Sequence, residues 1–113
     1  MDNFLLINLL FIFTGVVFIV LAIPLILAKI PPNQWYGFRT PKTLSEPHIW
    51  YAANRIMGYD LVAVGVAVCV SAISVLLTGR SITIGQASWI NIGVLLSALF
   101  LAVIHSFLSL RNF

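Results

Sequence analysis

Histidine, cysteine and carboxylate side chains carry most acid–base, nucleophilic and metal chemistry. This 113-residue sequence holds few of them: His48 and His105, the single Cys69, and the acids Asp2, Glu46 and Asp60. A metal site wants such groups clustered, and the two histidines sit in distant segments. No nucleophile stands beside a base at a spacing that suggests covalent catalysis. Cys69 lies in an apolar run with nothing nearby to activate its thiol, and reads as a small buried apolar residue. The expectation is a protein that is not an enzyme and needs no metal or cofactor. Proton- or cation-coupled transport would need a membrane-embedded carboxylate. Asp60 stands only at the edge of an apolar run, where it would open a helix and compensate its dipole or pair with Arg39 or Arg55. Asn8, Asn91 and His105 read as helix-packing groups.

The elements that must position these residues follow from composition. Hydrophobic residues make up 61% of the chain and charged residues 8%, with a mean hydropathy of +1.08. A soluble domain carries about 25% charged residues, so this chain lacks the polar surface to cover a core in water. Lipid as the solvent removes the contradiction. Three runs without Lys, Arg, Asp or Glu stand out: Phe4 to Ala28, Leu61 to Thr78 and Trp89 to Leu110. Each is long enough to cross about 30 Å of hydrocarbon at roughly 1.5 Å per residue. The expected fold is an all-α membrane protein forming one transmembrane domain, with helices at about 4–28, 58–78 and 88–110 and a motif loop over 29–57. A cleaved signal peptide would want a positive start and a short apolar core. Met1-Asp2-Asn3 is acidic and the first run is too long, so it is read as a retained helix. Pro24 within it removes one backbone hydrogen bond, from the Val20 carbonyl, and Pro31-Pro32 is expected to end it.

Charge placement sets the expected orientation. The formal net charge is +3. Lys29, Arg39, Lys42 and Arg55 fall between the first two runs and Arg111 at the C-terminus, with Arg80 alone on the opposite side. A central Lys or Arg costs a membrane helix about 2.5–3.5 kcal/mol, so the cation-rich stretch cannot span. The positive-inside bias then gives a multi-pass plasma-membrane protein with its N-terminus outside and its loop and C-terminus in the cytoplasm. A nucleic-acid partner is not expected, because no soluble basic surface exists. Small residues give packing seams: Gly58, Gly65, Cys69 and Ala72 in the second helix, Gly93 with Ser97 and Ala98 with Ala102 in the third. Three thin helices enclose little volume, and a homo-oligomer is expected.

The segment KIPPNQWYGFRTPKTLSEPHIWYAANRIMG, from Lys29 to Gly58, carries the most specific information. Its prolines stiffen it. Gly37, between Tyr36 and Phe38, suits a turn or a close backbone approach. Trp35, Tyr36 and Phe38 are interfacial aromatics. Ser45-Glu46-Pro47 reads as a helix start with Ser45 as capping hydroxyl, opening a short interfacial helix to about Met57 that either continues through Gly58 or bends there. Trp50, Asn54 and Met57 share one face of it; His48, Tyr51 and Arg55 share another. Two arrangements are open: a helix lying in the interface with Arg55 on phosphate, or a folded cap in which Arg39, Lys42 and Arg55 converge with Asn33, Glu46, Asn54 and Asp60.

At these residues the sequence resembles the SdpI family of prokaryotic membrane proteins. The likeness rests on Pro31-Pro32-Asn33, on Trp35 through Ser45 (WYGFRTPKTLS), and on Trp50 and Asn54-Arg55. It implies immunity: protection against a secreted antimicrobial peptide toxin. It also implies signalling, in which a cytoplasmic regulator, a repressor, is held at the membrane. The family carries no established catalytic residues. Asn33, Trp35, Tyr36, Gly37, Arg39, Thr40, Lys42, Trp50, Asn54 and Arg55 are therefore taken as a structural or binding region, joined by Asp60. The likeness covers roughly a quarter of the chain directly, and the flanking apolar helices match it in layout; the founding type is longer, with additional membrane helices before the motif, where this chain resembles a compact three-helix unit. The orientation is testable: a C-terminal epitope tag should be inaccessible to reagents in intact cells and an N-terminal tag accessible, and an exposed C-terminus would reverse the assignment.

Overall fold

The computed structural model describes residues 2–78 and 81–113. Among them the fold is all-helical: α1 spans Asn3–Ile26, α2 Pro47–Leu77 and α3 Ile84–Ser109, followed by a single 3₁₀ turn at Leu110–Asn112. Each of the three long helices has the length and apolarity to cross a membrane. Arg80, to which the charge argument gives the role of lone outer cation, lies outside the described residues, as does Gly79.

The helix ends differ from expectation for identifiable reasons. At α1 the Asp2 carboxylate caps the start, accepting from the Leu5 N–H at 2.9 Å. The helix stops at Ile26, ahead of Pro31-Pro32 and of the expected Ala28. Ala28 takes a positive φ of 57°, the Ala28 N–H bonds the Leu25 carbonyl at 3.3 Å and the Lys29 N–H bonds that of Pro24 at 2.9 Å. This is a Schellman-type end with alanine where glycine is usual. Pro24 sits inside an unbroken helix. At α2 the capping position is Glu46, with no side-chain cap bond, and Pro47 takes the first turn. The Ser45 hydroxyl does not cap; it donates to the Lys42 carbonyl at 2.5 Å. No separate interfacial helix precedes the second span: α2 runs through Gly58 without a break. α3 begins at Ile84, earlier than position 88, because Thr83 and Gln86 form a capping box. That signature lies within what composition alone reads as a polar turn.

Packing between α1 and α2 is set by glycine. A Cβ on Gly65 would come within 2.5 Å of the Gly15 carbonyl oxygen, and one on Gly15 within 2.6 Å of the Gly65 oxygen. A Cβ on Gly58 would lie 2.8 Å from Ile26 Cγ1 and 3.2 Å from the Ala22 oxygen. The expected seam on α2 is thus in place: Gly58, Gly65 and Ala72 are buried, and Cys69 Sγ donates to the Ile12 carbonyl at 3.5 Å. Close approach through small residues is how helices associate where the hydrophobic effect between them is absent. α3 rests chiefly on α2 and touches α1 least. Its Gly93 has nothing within 4 Å of a would-be Cβ and faces outward with Ser97.

Three polar side chains tie the helices together within the span. Asn91 of α3 donates to Asn8 Oδ1 of α1 at 2.9 Å and accepts from the Ser71 hydroxyl of α2 at 2.7 Å. The Asn8 amide also donates to the Phe4 carbonyl at 2.8 Å. Asn8 and Asn91 are fully buried. Unmade hydrogen bonds are costly in hydrocarbon, and here none remains: among the described residues no buried side-chain nitrogen or oxygen lacks a partner.

Two glycine substitutions separate packing from propensity. Gly65→Ala forces α1 and α2 apart against backbone, and should cost about 1–3 kcal/mol of stability in detergent. Gly93→Ala meets open space and should be neutral or stabilise by up to about 1 kcal/mol. Thermal or steric-trap unfolding reads both; equal effects would show that the Gly15–Gly65 crossing does not hold the bundle.

Candidate functional site

At one end of the bundle the C-terminus of α1, the N-terminal part of α2 and the C-terminus of α3 meet, and the loop between α1 and α2 folds over them. A helix leaves its last carbonyls without intrahelical partners, and side chains of the loop and of early α2 supply donors here. Arg55 Nε donates to the Ile26 carbonyl of α1 at 3.1 Å, and Lys42 Nζ to the Leu110 carbonyl after α3 at 2.5 Å. Both cations also lie against negative helix ends, where the macrodipole favours them. The Trp50 indole N–H donates to the Ile30 carbonyl at 2.8 Å, and the Tyr36 hydroxyl donates to the Leu21 carbonyl. Leu21 lies next to Val20, whose carbonyl Pro24 deprives of a donor. Burial holds the Tyr36 phenol above its ordinary pKa of 10.0, which keeps it a neutral donor.

The loop is built around two asparagines and two threonines. The Asn33 carboxamide accepts from the Trp35 and Tyr36 N–H groups, both at 2.7 Å, and donates to the Pro31 and Tyr36 carbonyls at 2.8 and 3.0 Å. This is an Asx-type turn closed from both sides. Asn54, on α2, accepts from the Phe38 N–H at 2.5 Å and donates to the Phe38 carbonyl at 3.3 Å and to its own helix at Trp50 O, 2.9 Å. Gly37 makes this approach feasible. Its φ is +116°, and a Cβ there would lie 2.7 Å from Asn54 Oδ1 and 3.1 Å from the Trp50 ring. Thr43, fully buried, donates to the Phe38 carbonyl at 2.9 Å and accepts from the Thr40 N–H at 2.8 Å; the Thr40 hydroxyl accepts from the Thr43 N–H at 3.1 Å. Phe38 closes against α3, its ring edge-on to Phe107 with centroids 5.1 Å apart.

Of the motif residues, Asn33, Tyr36, Gly37, Thr40, Lys42, Trp50, Asn54 and Arg55 are therefore brought into one interlocked unit, but the expected convergence of the cations is not seen: Lys42 and Arg55 each take a helix-end carbonyl, and among the described residues Arg39 makes no ion pair or hydrogen bond. Trp50 and Asn54 are buried and Met57 half-buried, while His48 and Arg55 are exposed, matching the two expected faces. Trp35 stands apart, 90% exposed. Glu46 does not join the cap; it pairs with His48 at 3.1 Å in water, and that pair is too exposed to contribute much.

Asp60 departs furthest from expectation. It lies more than three turns into α2, too far from the N-terminus to compensate the dipole. It pairs with neither Arg39 nor Arg55. Instead His105 Nδ1 lies 2.9 and 2.8 Å from its two oxygens, and the Ser106 hydroxyl donates to Oδ2 at 2.8 Å. The side chain of Asp60 is 17% exposed and that of His105 64%. His105 thus meets an acid rather than His48, and among the described residues no group of three or more His, Cys, Asp or Glu is placed to hold a metal ion. Among the described residues, three apolar cavities lie along the α2–α3 seam: one of ≈ 580 Å³ near the far end, between Ser71 and Ile90, and two of ≈ 310 and ≈ 300 Å³ that Asp60 lines. The larger of the two at Asp60 is also walled by Phe38, Arg39, Met57, Leu61 and Phe107. Residue reading missed Thr43, Ser106 and the pairing of His105. The Thr40-x-x-Thr43 spacing and a histidine–serine pair inside an apolar run were the available signals.

The SdpI/YfhL family model matches residues 29–106. The chain belongs to the SdpI/YfhL family. The match begins where α1 has ended and takes in the loop, α2 and most of α3, so every residue of the cap and of the Asp60 cluster falls inside it. No curated protein and no solved structure matches the chain.

Removing the Asn54 carboxamide should free the loop without unfolding the helices. Asn54→Leu strands the Phe38 N–H and carbonyl, an expected loss of about 1–3 kcal/mol, concentrated in residues 29–45. Hydrogen exchange or limited proteolysis should show that segment opening at least tenfold faster while α2 and α3 stay protected; uniform acceleration throughout the chain would contradict the keystone role.

Proposed function

We propose that this member of the SdpI/YfhL family is a non-catalytic resistance protein of the plasma membrane that protects its cell from a secreted antimicrobial peptide. The supporting observation is that the segment matched by the family model includes the loop that folds into a tied-down cap, with its motif polar groups spent on shape rather than arranged for reaction. The loop and the C-terminus share one end of the bundle, as the Lys42–Leu110 bond requires, and we place that end in the cytoplasm because Lys29, Arg39, Lys42, Arg55 and Arg111 are there. A cytoplasmic regulator would meet the outer surface of the cap, where Trp35 and Arg39 stand exposed. A homo-oligomer would use the outward Gly93–Ser97 face of α3.

A second reading, a small oligomeric transporter subunit, gains from one observation. The carboxylate that such coupling needs sits inside a spanning helix with a histidine partner, not at its end. Deleting the gene and challenging cells with secreted antimicrobial peptides decides between them. Resistance predicts at least a tenfold rise in sensitivity, restored by the wild-type chain and by Asp60→Asn. Transport predicts saturable flux in proteoliposomes that Asp60→Asn abolishes. Unchanged sensitivity after deletion would overturn the first reading.

A further inference from the structure

The larger of the two cavities at Asp60 is walled by two charged side chains whose situations are opposite. The Asp60 carboxylate already receives His105 and the Ser106 hydroxyl. The Arg39 guanidinium is exposed, and among the described residues it makes no ion pair or hydrogen bond. Among the described residues, the charged group of the cavity left without a protein partner is therefore the Arg39 guanidinium. Its height is fixed as well. Phe38, the preceding residue, is clamped to Asn54, and Arg55, the residue after Asn54, holds the end of α1 at Ile26. Arg39 thus stands level with the helix ends, where lipid headgroups sit, while Leu61, Leu99 and Val103 carry the apolar wall away from it. At ≈ 310 Å³ the space is at the small end of ligand clefts, which run from about 300 to 1,000 Å³. At this end of the bundle the described cations are Lys29, Arg39, Lys42, Arg55 and Arg111, against Glu46 and Asp60, a balance that draws anionic headgroups.

We propose that this cavity is a binding site for an anionic phospholipid, with the headgroup phosphate on Arg39 and one acyl chain lying along Leu61, Leu99 and Val103. The bound lipid joins the loop to the α2–α3 seam, beside the Phe38–Phe107 and Lys42–Leu110 contacts that already hold the loop to the end of α3. The site is independent of the resistance reading and can fail while that reading stands.

Native mass spectrometry of the full chain in detergent, titrated with phosphatidylglycerol and with phosphatidylcholine of the same acyl chains, tests it. Phosphatidylglycerol should bind at least tenfold tighter. Arg39→Gln should lose that preference at least fivefold and Arg39→Lys keep most of it. Lys29→Gln, which removes an exposed cation of the same loop, should change it less than twofold. Val103→Trp fills the cavity and should weaken both lipids. Should that variant fail to fold, Ala102→Leu fills part of the same space and carries the test. Glycerol phosphate, a headgroup without chains, should not displace the lipid. Equal binding of the two lipids, an Arg39→Gln variant no different from Lys29→Gln, unchanged binding in a folded cavity-filled variant, or displacement by glycerol phosphate would each overturn the site.

Discussion

One side-chain amide organises the loop end of this molecule. Asn54 offers Phe38 what a neighbouring strand would offer, an acceptor for its N–H and a donor for its carbonyl, yet it projects from a helix. An irregular segment at the membrane boundary has no ladder to satisfy its backbone, and exposed peptide groups are penalised as water thins out. By pairing with the Asn54 carboxamide, Phe38 is fixed in height and direction. Everything on either side of it then follows: Gly37 must be glycine to pass the Trp50 ring, Thr43 closes onto the same Phe38 carbonyl, and Lys42 is carried to the end of α3. The cap is a device for satisfying peptide groups, and its specificity comes from how few side chains achieve it.

The same economy applies to the cations. An isolated loop arginine or lysine can serve simply as a positive-inside marker, but two of the four here also close helix ends, Arg55 on α1 and Lys42 after α3. A substitution that conserves charge at Arg55 would alter the directed Nε bond, because the guanidinium and ammonium groups differ in donor geometry. In the interior the polar groups are equally committed. Asn8, Ser71 and Asn91 join all three helices, and Asp60 with His105 and Ser106 fastens α3, which packs least tightly, to α2.

How much of this was readable beforehand divides along physical lines. The three spans and the all-helical fold follow from uncharged runs, because the free energy of placing residues in lipid is close to additive along the chain. The two faces of early α2 follow from helical periodicity. What periodicity does not encode is which of several equivalent donors meets a given carbonyl. Ser45 has the type and position of a cap and instead turns back on Lys42. Gly58 allows either a bend or a continuous helix, and its close contact with Ile26 goes with the continuous one. Asp60 reads as a helix opener only because the uncharged run begins after it, and its partners, 45 and 46 residues away in sequence, could be found only by folding the chain.

These commitments constrain what the motif can recognise. Asn33, Tyr36, Thr40, Thr43, Trp50 and Asn54 direct their polar groups inward, to backbone or to one another, so they are available to no ligand without dismantling the cap. Among the described residues, the exposed Trp35 ring and Arg39 guanidinium of the motif make no hydrogen bond or ion pair. The long run that identifies the family is therefore mostly a recipe for a shape, and only a small part of it is exposed chemistry. A partner that reads the cap must read either that shape or those two side chains. It follows that loss of activity from changing Asn54 or Gly37 says little about contact, whereas a folded variant at Trp35 that loses activity locates a contact on the outer surface of the cap.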